Sequence, residues 1–165
     1  MKILEFSPTK SQIETAEKIA QTFKVNKSSF MNGERNVFAF LGEVVVGDFL
    51  KKDGWKLHPE GYSPYHFDIL DKEGKKWDIK TKMTNVRPKG FYNCTIYTYL
   101  EQKCDGYIFT RCLKNMSKVW ILGKVNKDRL KKEGKRYKKG DVDDNLVMER
   151  DCIGLKINQL DEFLL

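Results

Sequence analysis

Four residues in this sequence have the types and spacing to act together: Glu43, Asp68, Asp78 and Lys80. Three of them lie in Tyr65-His-Phe-Asp-Ile-Leu-Asp-Lys-Glu-Gly-Lys-Lys-Trp-Asp-Ile-Lys-Thr-Lys82, which reads as two β-strands joined by a tight turn. A loop of Lys72, Glu73 and Gly74, with the glycine in the left-handed conformation, makes Asp71 and Lys75 the closing pair. Counting back, Ile69 faces Trp77, Asp68 faces Asp78 and His66 faces Lys80. Alternation then gathers Asp68, Asp78 and Lys80 on one face, with Phe67, Ile69, Trp77 and Ile79 on the other. The apolar set fixes this register, because a slip of one residue would turn Trp77 and Ile79 to the wrong side. A shorter loop on Glu73-Gly74 alone would instead set Asp68 against Ile79 and break the pairing.

Two carboxylates directly opposite each other repel unless something positive sits between them. The pair is therefore either a mild flaw on a solvated strand face or a cation site. Its oxygens suit a hard divalent ion such as Mg²⁺, which takes one or two carboxylates and keeps several waters. Lys80, on the same face, is placed to hold or polarise a water or a phosphate oxygen.

Glu43 belongs to a helix predicted from about Asn32-Gly33 to Lys52, ended by Asp53-Gly54. It is the only charge in Val-Phe-Ala-Phe-Leu-Gly-Glu-Val-Val-Val-Gly, residues 37–47, and it shares its face with Ala39, Phe40, Val46 and Gly47. An ionised carboxylate buried there costs on the order of 3–5 kcal/mol unless it is paired or metal-bound. The alternatives are a glutamate at the edge of the apolar stripe or a salt bridge to a lysine. Gly42 and Gly47 each weaken the helix by roughly 1 kcal/mol against alanine, which close approach of another backbone or a ligand would explain.

The remaining elements have to position these groups. A chain of 165 residues with 40% apolar and 33% charged residues fits a single domain, with a core over about 32–125. No apolar run is long enough for a transmembrane helix, and the N-terminal residues lack the apolar stretch of a signal peptide. A cytoplasmic protein with no membrane partner is expected. Cys94, Cys104, Cys112 and Cys152 are widely spaced, so buried reduced thiols are predicted rather than zinc ligands or disulfides. Two histidines and no Gly-rich phosphate loop offer neither a zinc site nor a site for an organic cofactor. The net charge is +8, with eleven Lys and Arg between Lys114 and Lys139 against Asp128 and Glu133 alone. Such a block is either a solubilising loop or a contact for a polyanion, most commonly nucleic acid.

In order, residues 1–6 read as a short strand or arm, and Ser7-Pro8 as the cap and first turn of a helix reaching about Lys24. Trp55–His58 reads as a short edge strand before the hairpin. Asn93 is predicted to cap a helix reaching about Lys103, in which Ile96, Tyr97 and Leu100 recur at helical spacing. Gly106–Cys112 and Val119–Val125 read as apolar strands joined as a hairpin. One helical turn is expected at Lys127–Lys132, strand character over Leu146–Ile157, and a closing helical turn from Asn158 through Phe163.

A helix bearing a lone glutamate, then a hairpin reading Asp, nine residues, Asp-Ile-Lys, then a helix and a strand, resembles the PD-(D/E)xK nuclease superfamily. Asp78-Ile79-Lys80 matches the second half of its motif, Asp68 the first acid and Glu43 the acid of the first core helix; His66-Phe67 stands where the family name expects proline. The resemblance implies an α/β fold with a restriction endonuclease-like αβββαβ core. That core is a mixed central sheet flanked by helices, here with an N-terminal helix and a basic C-terminal β extension.

It also implies Mg²⁺- or Mn²⁺-dependent phosphodiester hydrolysis in DNA, as an endonuclease. Asp68, Asp78, the Ile79 carbonyl and Glu43 would hold the metal, and Lys80 would orient the attacking water or stabilise the transition state. His66, Lys82, Arg87, Lys89 and Gln102 are candidate DNA contacts, Gln102 matching an auxiliary glutamine of some members. The partners implied are DNA and, since many members cut as dimers, a second copy of the chain. The competing reading is a nucleic-acid-binding protein that has the fold without the activity.

Overall fold

The computed structural model describes residues 2–23, 33–61, 67–98, 102–143 and 146–163. The chain opens on strand β1 (Leu4–Phe6), followed by helix α1 (Lys10–Phe23). The cap expected at Ser7 lies at Thr9 instead. Thr9 Oγ1 accepts the Gln12 amide at 3.2 Å, while Gln12 Oε1 accepts the Thr9 amide at 2.9 Å. This reciprocal box needs a glutamine or glutamate three residues after the cap. Gln12 provides that for Thr9, whereas Ser7 is followed at that distance by Lys10.

Helix α2 (Gly33–Lys51) forms over the predicted range. Its glycines permit close packing. A Cβ on Gly42 would stand 2.0 Å from Thr81 Oγ1, and one on Gly47 would stand 3.0 Å from the Leu57 side chain. Thr81 Oγ1 bonds the Ala39 carbonyl of the helix at 3.4 Å and accepts the Thr110 hydroxyl at 2.8 Å. The helix backbone is therefore seated directly on the strand that carries Asp78 and Lys80.

Strands β2 (Lys56–Leu57), β3 (Ile69–Leu70) and β4 (Lys76–Thr84) follow, then β5 (Asn93–Tyr97), β6 (Gly106–Leu113) and β7 (Val119–Asn126). The central sheet has six strands in the order β1-β7-β6-β4-β3-β2, so β2 is the edge strand expected. All pairs are antiparallel except β4 and β6, which makes the sheet mixed. Parallel neighbours require a crossover connection. The sequence predicts a helix there, over Asn93–Lys103; residues Asn93–Tyr97 form strand β5 instead. Over five residues, the helical recurrence of Ile96 and Tyr97 coincides with a period-two pattern that buries Cys94 and Ile96, and the β-branched and aromatic residues favour the strand.

Beyond β7 come α3 (Lys127–Glu133), β8 (Lys135–Tyr137), β9 (Val142–Asp143), β10 (Leu146–Val147) and β11 (Cys152–Lys156). Helix α3 is capped by Asn126, whose Oδ1 accepts the Arg129 amide at 2.7 Å. The single strand predicted over Leu146–Ile157 is split, because β10 pairs with β9 while β11 joins a second sheet of order β5-β11-β8. The closing turn is a 3₁₀ turn at Ile157–Gln159 that begins after Lys156, not Asn158; Gln159 Oε1 accepts the Lys156 amide at 2.7 Å.

Two cores result. On one face of the central sheet, Trp77, Ile79, Ile108 and Ile121 pack with Val46 and Leu50 of α2. On the other, Tyr107, Phe109, Trp120 and Leu122 pack with Cys94, Ile96, Ile153 and Leu155 of the second sheet. The protein is thus a mixed α/β fold with a mixed sheet and three α-helices among the described residues. All four cysteines are buried free thiols, as expected. Among the described residues, no helix is long and apolar enough to cross a membrane.

Candidate active site

The turn between β3 and β4 sets the register of the site. Gly74 has φ +82°, the Asp71 amide donates to the Lys75 carbonyl at 3.0 Å, and Ile69 pairs with Trp77, as the loop count predicts. Asp71 holds the turn together. Its Oδ1 accepts the amides of Glu73 and Lys75 at 3.0 and 2.9 Å, and its Oδ2 accepts the Trp77 indole N–H at 3.0 Å.

The regular ladder ends at Ile69, because the Asp68 amide donates to the Trp77 carbonyl at 2.9 Å, where an unbroken pleat would turn it away from β4. Asp68 and Asp78 therefore do not stand face to face, a correction to the pleat count, which assumes an unbroken ladder. The Asp68 carboxylate instead accepts the Ile79 amide at 2.6 Å. A strand residue presents its N–H and C=O to the same edge. The Ile79 carbonyl is accordingly turned to the open edge of β4, on the Asp68 side.

Asp78 and Lys80 share the face that looks toward the second sheet, in register with Tyr107 and Phe109. Asp78 is 3% exposed, and its Oδ1 accepts Gln102 Nε2 at 3.0 Å. Its Oδ2 lies 2.7 Å from Lys80 Nζ at ion-pair distance, without a well-directed hydrogen bond. Gln102 does not sit on the expected helix. It lies in the segment leading to β6, where Lys127 Nζ donates to its backbone carbonyl. Glu43 arrives from α2, packed on the opposite face of the sheet, and is 8% exposed. Its Oε2 and Gln102 Oε1 are buried without a partner among the described residues.

The electrostatics link these groups. Burial pushes the Glu43 carboxyl well above the usual range, and the charges of Asp68 and Asp78 raise it further against the pull of Lys80. Asp68 is pushed up to about 7, by burial first and Asp78 second; the Ile79 amide and Lys80 oppose the shift. Asp78 is raised by burial, while Lys80 and Gln102 hold it down. Three carboxyls with one nearby ammonium form a site short of positive charge.

The donors are all oxygen, which is the set a hard divalent cation takes. The unpartnered Glu43 Oε2 and the poorly satisfied Asp78 Oδ2 fit such an ion. Among the described residues, no three His, Cys, Asp or Glu side chains are drawn together closely enough to hold a metal by themselves. An ion kept by one or two carboxylates and several waters does not need such a group.

Of the other candidates, His66 lies outside the described residues. Lys82 is exposed on the Lys80 face. Arg87 is tied elsewhere, its Nε 3.8 Å from a Glu5 oxygen on β1, and Lys89 Nζ sits 5.9 Å over the Phe91 ring of its own loop. The sequence reading passed over Arg111 of β6, a buried cation beside Lys82. The signal was there: Arg111 is the lone charge in Gly-Tyr-Ile-Phe-Thr-Arg-Cys-Leu, as Glu43 is in residues 37–47. In comparisons with known proteins, no family model matches the chain, and no curated protein matches it.

Proposed function

We propose that this protein is a metal-dependent nuclease that hydrolyses phosphodiester bonds in DNA, built on a restriction endonuclease-like core. The observation that carries the reading is the convergence of buried, charge-deficient carboxyls from α2, the start of β3 and β4 beside one lysine. The order α2, β2, β3, β4 and the parallel β6 supports the fold assignment; β5 stands where the family pattern has a helix.

Asp78 and Glu43 would hold Mg²⁺ or Mn²⁺, with Asp68 and the Ile79 carbonyl at the same edge. Such an ion, when bound, lowers the pKa of a coordinated water and offsets phosphate charge. Gln102 keeps the Asp78 carboxylate oriented through Oδ1, leaving Oδ2 toward Lys80. The Lys80 side chain is a third exposed, so its ammonium can reach a phosphate oxygen as charge develops in the transition state.

Purified protein with Mg²⁺ and plasmid or linear DNA provides the test. Cleavage lost in both Asp78→Ala and Lys80→Ala supports the proposal; DNA left intact by the parent protein overturns it. That second outcome, with DNA still bound, would favour a non-catalytic nucleic-acid-binding protein, a reading motivated by the lack of three closely drawn metal ligands among the described residues.

A further inference from the structure

Arg111 is 7% exposed within the apolar face of β6. One of its terminal nitrogens donates to the Asn93 carbonyl at 3.0 Å, and its guanidinium lies 5.3 Å from the Tyr92 ring centroid. Its Nε is buried and has no partner, and no carboxylate among the described residues pairs with it. The parallel register sets Lys82 directly beside it. Lys82 also has no ion-pair partner among the described residues; Glu149 is the one carboxylate whose charge acts on it, from beyond ion-pair distance. Arginine is always charged, so burial cannot neutralise it as it neutralises a carboxyl. Strapping β6 to the start of β5 explains the bond to Asn93, but not the orphaned Nε or a second cation at the same level of the next strand. Two like charges side by side call for an opposite charge.

We infer that Lys82 and Arg111 form an anion subsite that holds the phosphate next to the one attacked. Lys82 is its exposed arm and Arg111 the fixed charge behind it. Asp78, Lys80 and Lys82 lie on one face of β4, so the substrate strand runs along β4 from the carboxylates toward Lys82. Which phosphate is held rests on the nuclease reading; the existence of an anion site does not.

Two measurements on the full chain separate these. In metal-free buffer, inorganic phosphate is expected to raise the melting temperature of the parent protein and to do so less in Lys82→Gln. In DNA binding between about 50 and 200 mM salt, Lys82→Gln is expected to flatten the slope of log K against log salt by about 1. A duplex carrying one methylphosphonate beside the cleaved position should weaken the parent to the level of Lys82→Gln and leave that variant unchanged. Arg111→Met should lose the same increment; where it fails to fold, Lys82→Gln decides, since that side chain is exposed.

A parent protein that cleaves DNA while Lys82→Gln keeps the parent's slope and phosphate response overturns the subsite. A parent that does not cleave, yet is stabilised by phosphate through Lys82, overturns the nuclease reading and leaves the subsite standing.

Discussion

Replacing Asp68 by asparagine should make the metal-free protein more stable at neutral and alkaline pH while removing its proposed function. Folding raises the Asp68 carboxyl from 3.8 to about 7. That difference corresponds to on the order of 4 kcal/mol against the ionised form. Part of the residue's surface faces solvent, which trims the figure to about 2–3 kcal/mol. Asparagine is nearly the same shape, keeps an oxygen for the Ile79 amide, and carries no charge. It also removes the larger of the two negative charges acting on Glu43.

The pH dependence follows from linkage. Below about pH 4, Asp68 is protonated in both folded and unfolded chains, so the substitution is neutral. Between about 4 and 7 the folded state retains a proton that the unfolded state has released, so the parent loses stability as pH rises. Above that range the full gap remains. In a chain of 165 residues, with 1 kcal/mol worth about 2–4 °C, the variant should melt about 5–10 °C higher near pH 8. Denaturant and thermal unfolding in EDTA across this pH range measure it. A variant no more stable than the parent near pH 8, or one whose gain is the same near pH 4, would refute the reasoning.

Further outcomes are expected. Mg²⁺ should raise the parent's melting temperature more near pH 8 than near pH 5, since the cation and protons compete for the same carboxyls, and should raise that of Asp68→Asn less; calorimetric melts in either buffer check this. Lys80→Ala should lower kcat by about 10²–10³ in steady-state cleavage assays, the usual loss of one group that stabilises transition-state charge, while Mg²⁺ binding persists. Gly42→Ala should destabilise the protein by about 1–3 kcal/mol in urea unfolding, because its Cβ would stand 2.0 Å from Thr81 Oγ1.

How legible this was depended on the kind of signal each segment carried. The hairpin was readable as far as Ile69 because glycine with positive φ and the apolar alternation of Ile69, Trp77 and Ile79 leave one register. One residue further, the count failed at Asp68. Nothing in the local sequence shows that the ladder ends there: β3 spans only Ile69–Leu70, while its partner β4 runs on to Thr84. Helix α2 was readable from its length and from Asp53-Gly54; its glycines do mark close approach, but to the side chains of Thr81 and Leu57 rather than to a backbone or a ligand. Residues Asn93–Tyr97 were not, because five residues do not distinguish a period of 3.6 from one of 2, and the deciding partner, β11, lies more than fifty residues away. The resemblance named candidate residues in the sequence, but not how α2, the residue before β3 and β4 bring them near one another.

The two least typical residues of the core now explain one another. Glu43 is the single charge of residues 37–47 in α2 and Arg111 the single charge of β6, each less than a tenth exposed, and each left with a buried atom that nothing in the described chain satisfies. They are of opposite type but do not pair with each other; Glu43 feels Asp68 and Asp78, while Arg111 stands beside Lys82. A protein selected for stability alone would replace both with apolar residues, since an unpaired buried charge is destabilising and a well-packed substitute is not. Keeping a cation-deficient cluster at one end of a strand face and an anion-deficient pair at the other makes physical sense if one ligand system supplies both missing charges. The proposed divalent ion and phosphodiester chain would do so, and their charges would fall in the order in which β4 presents Asp78, Lys80 and Lys82.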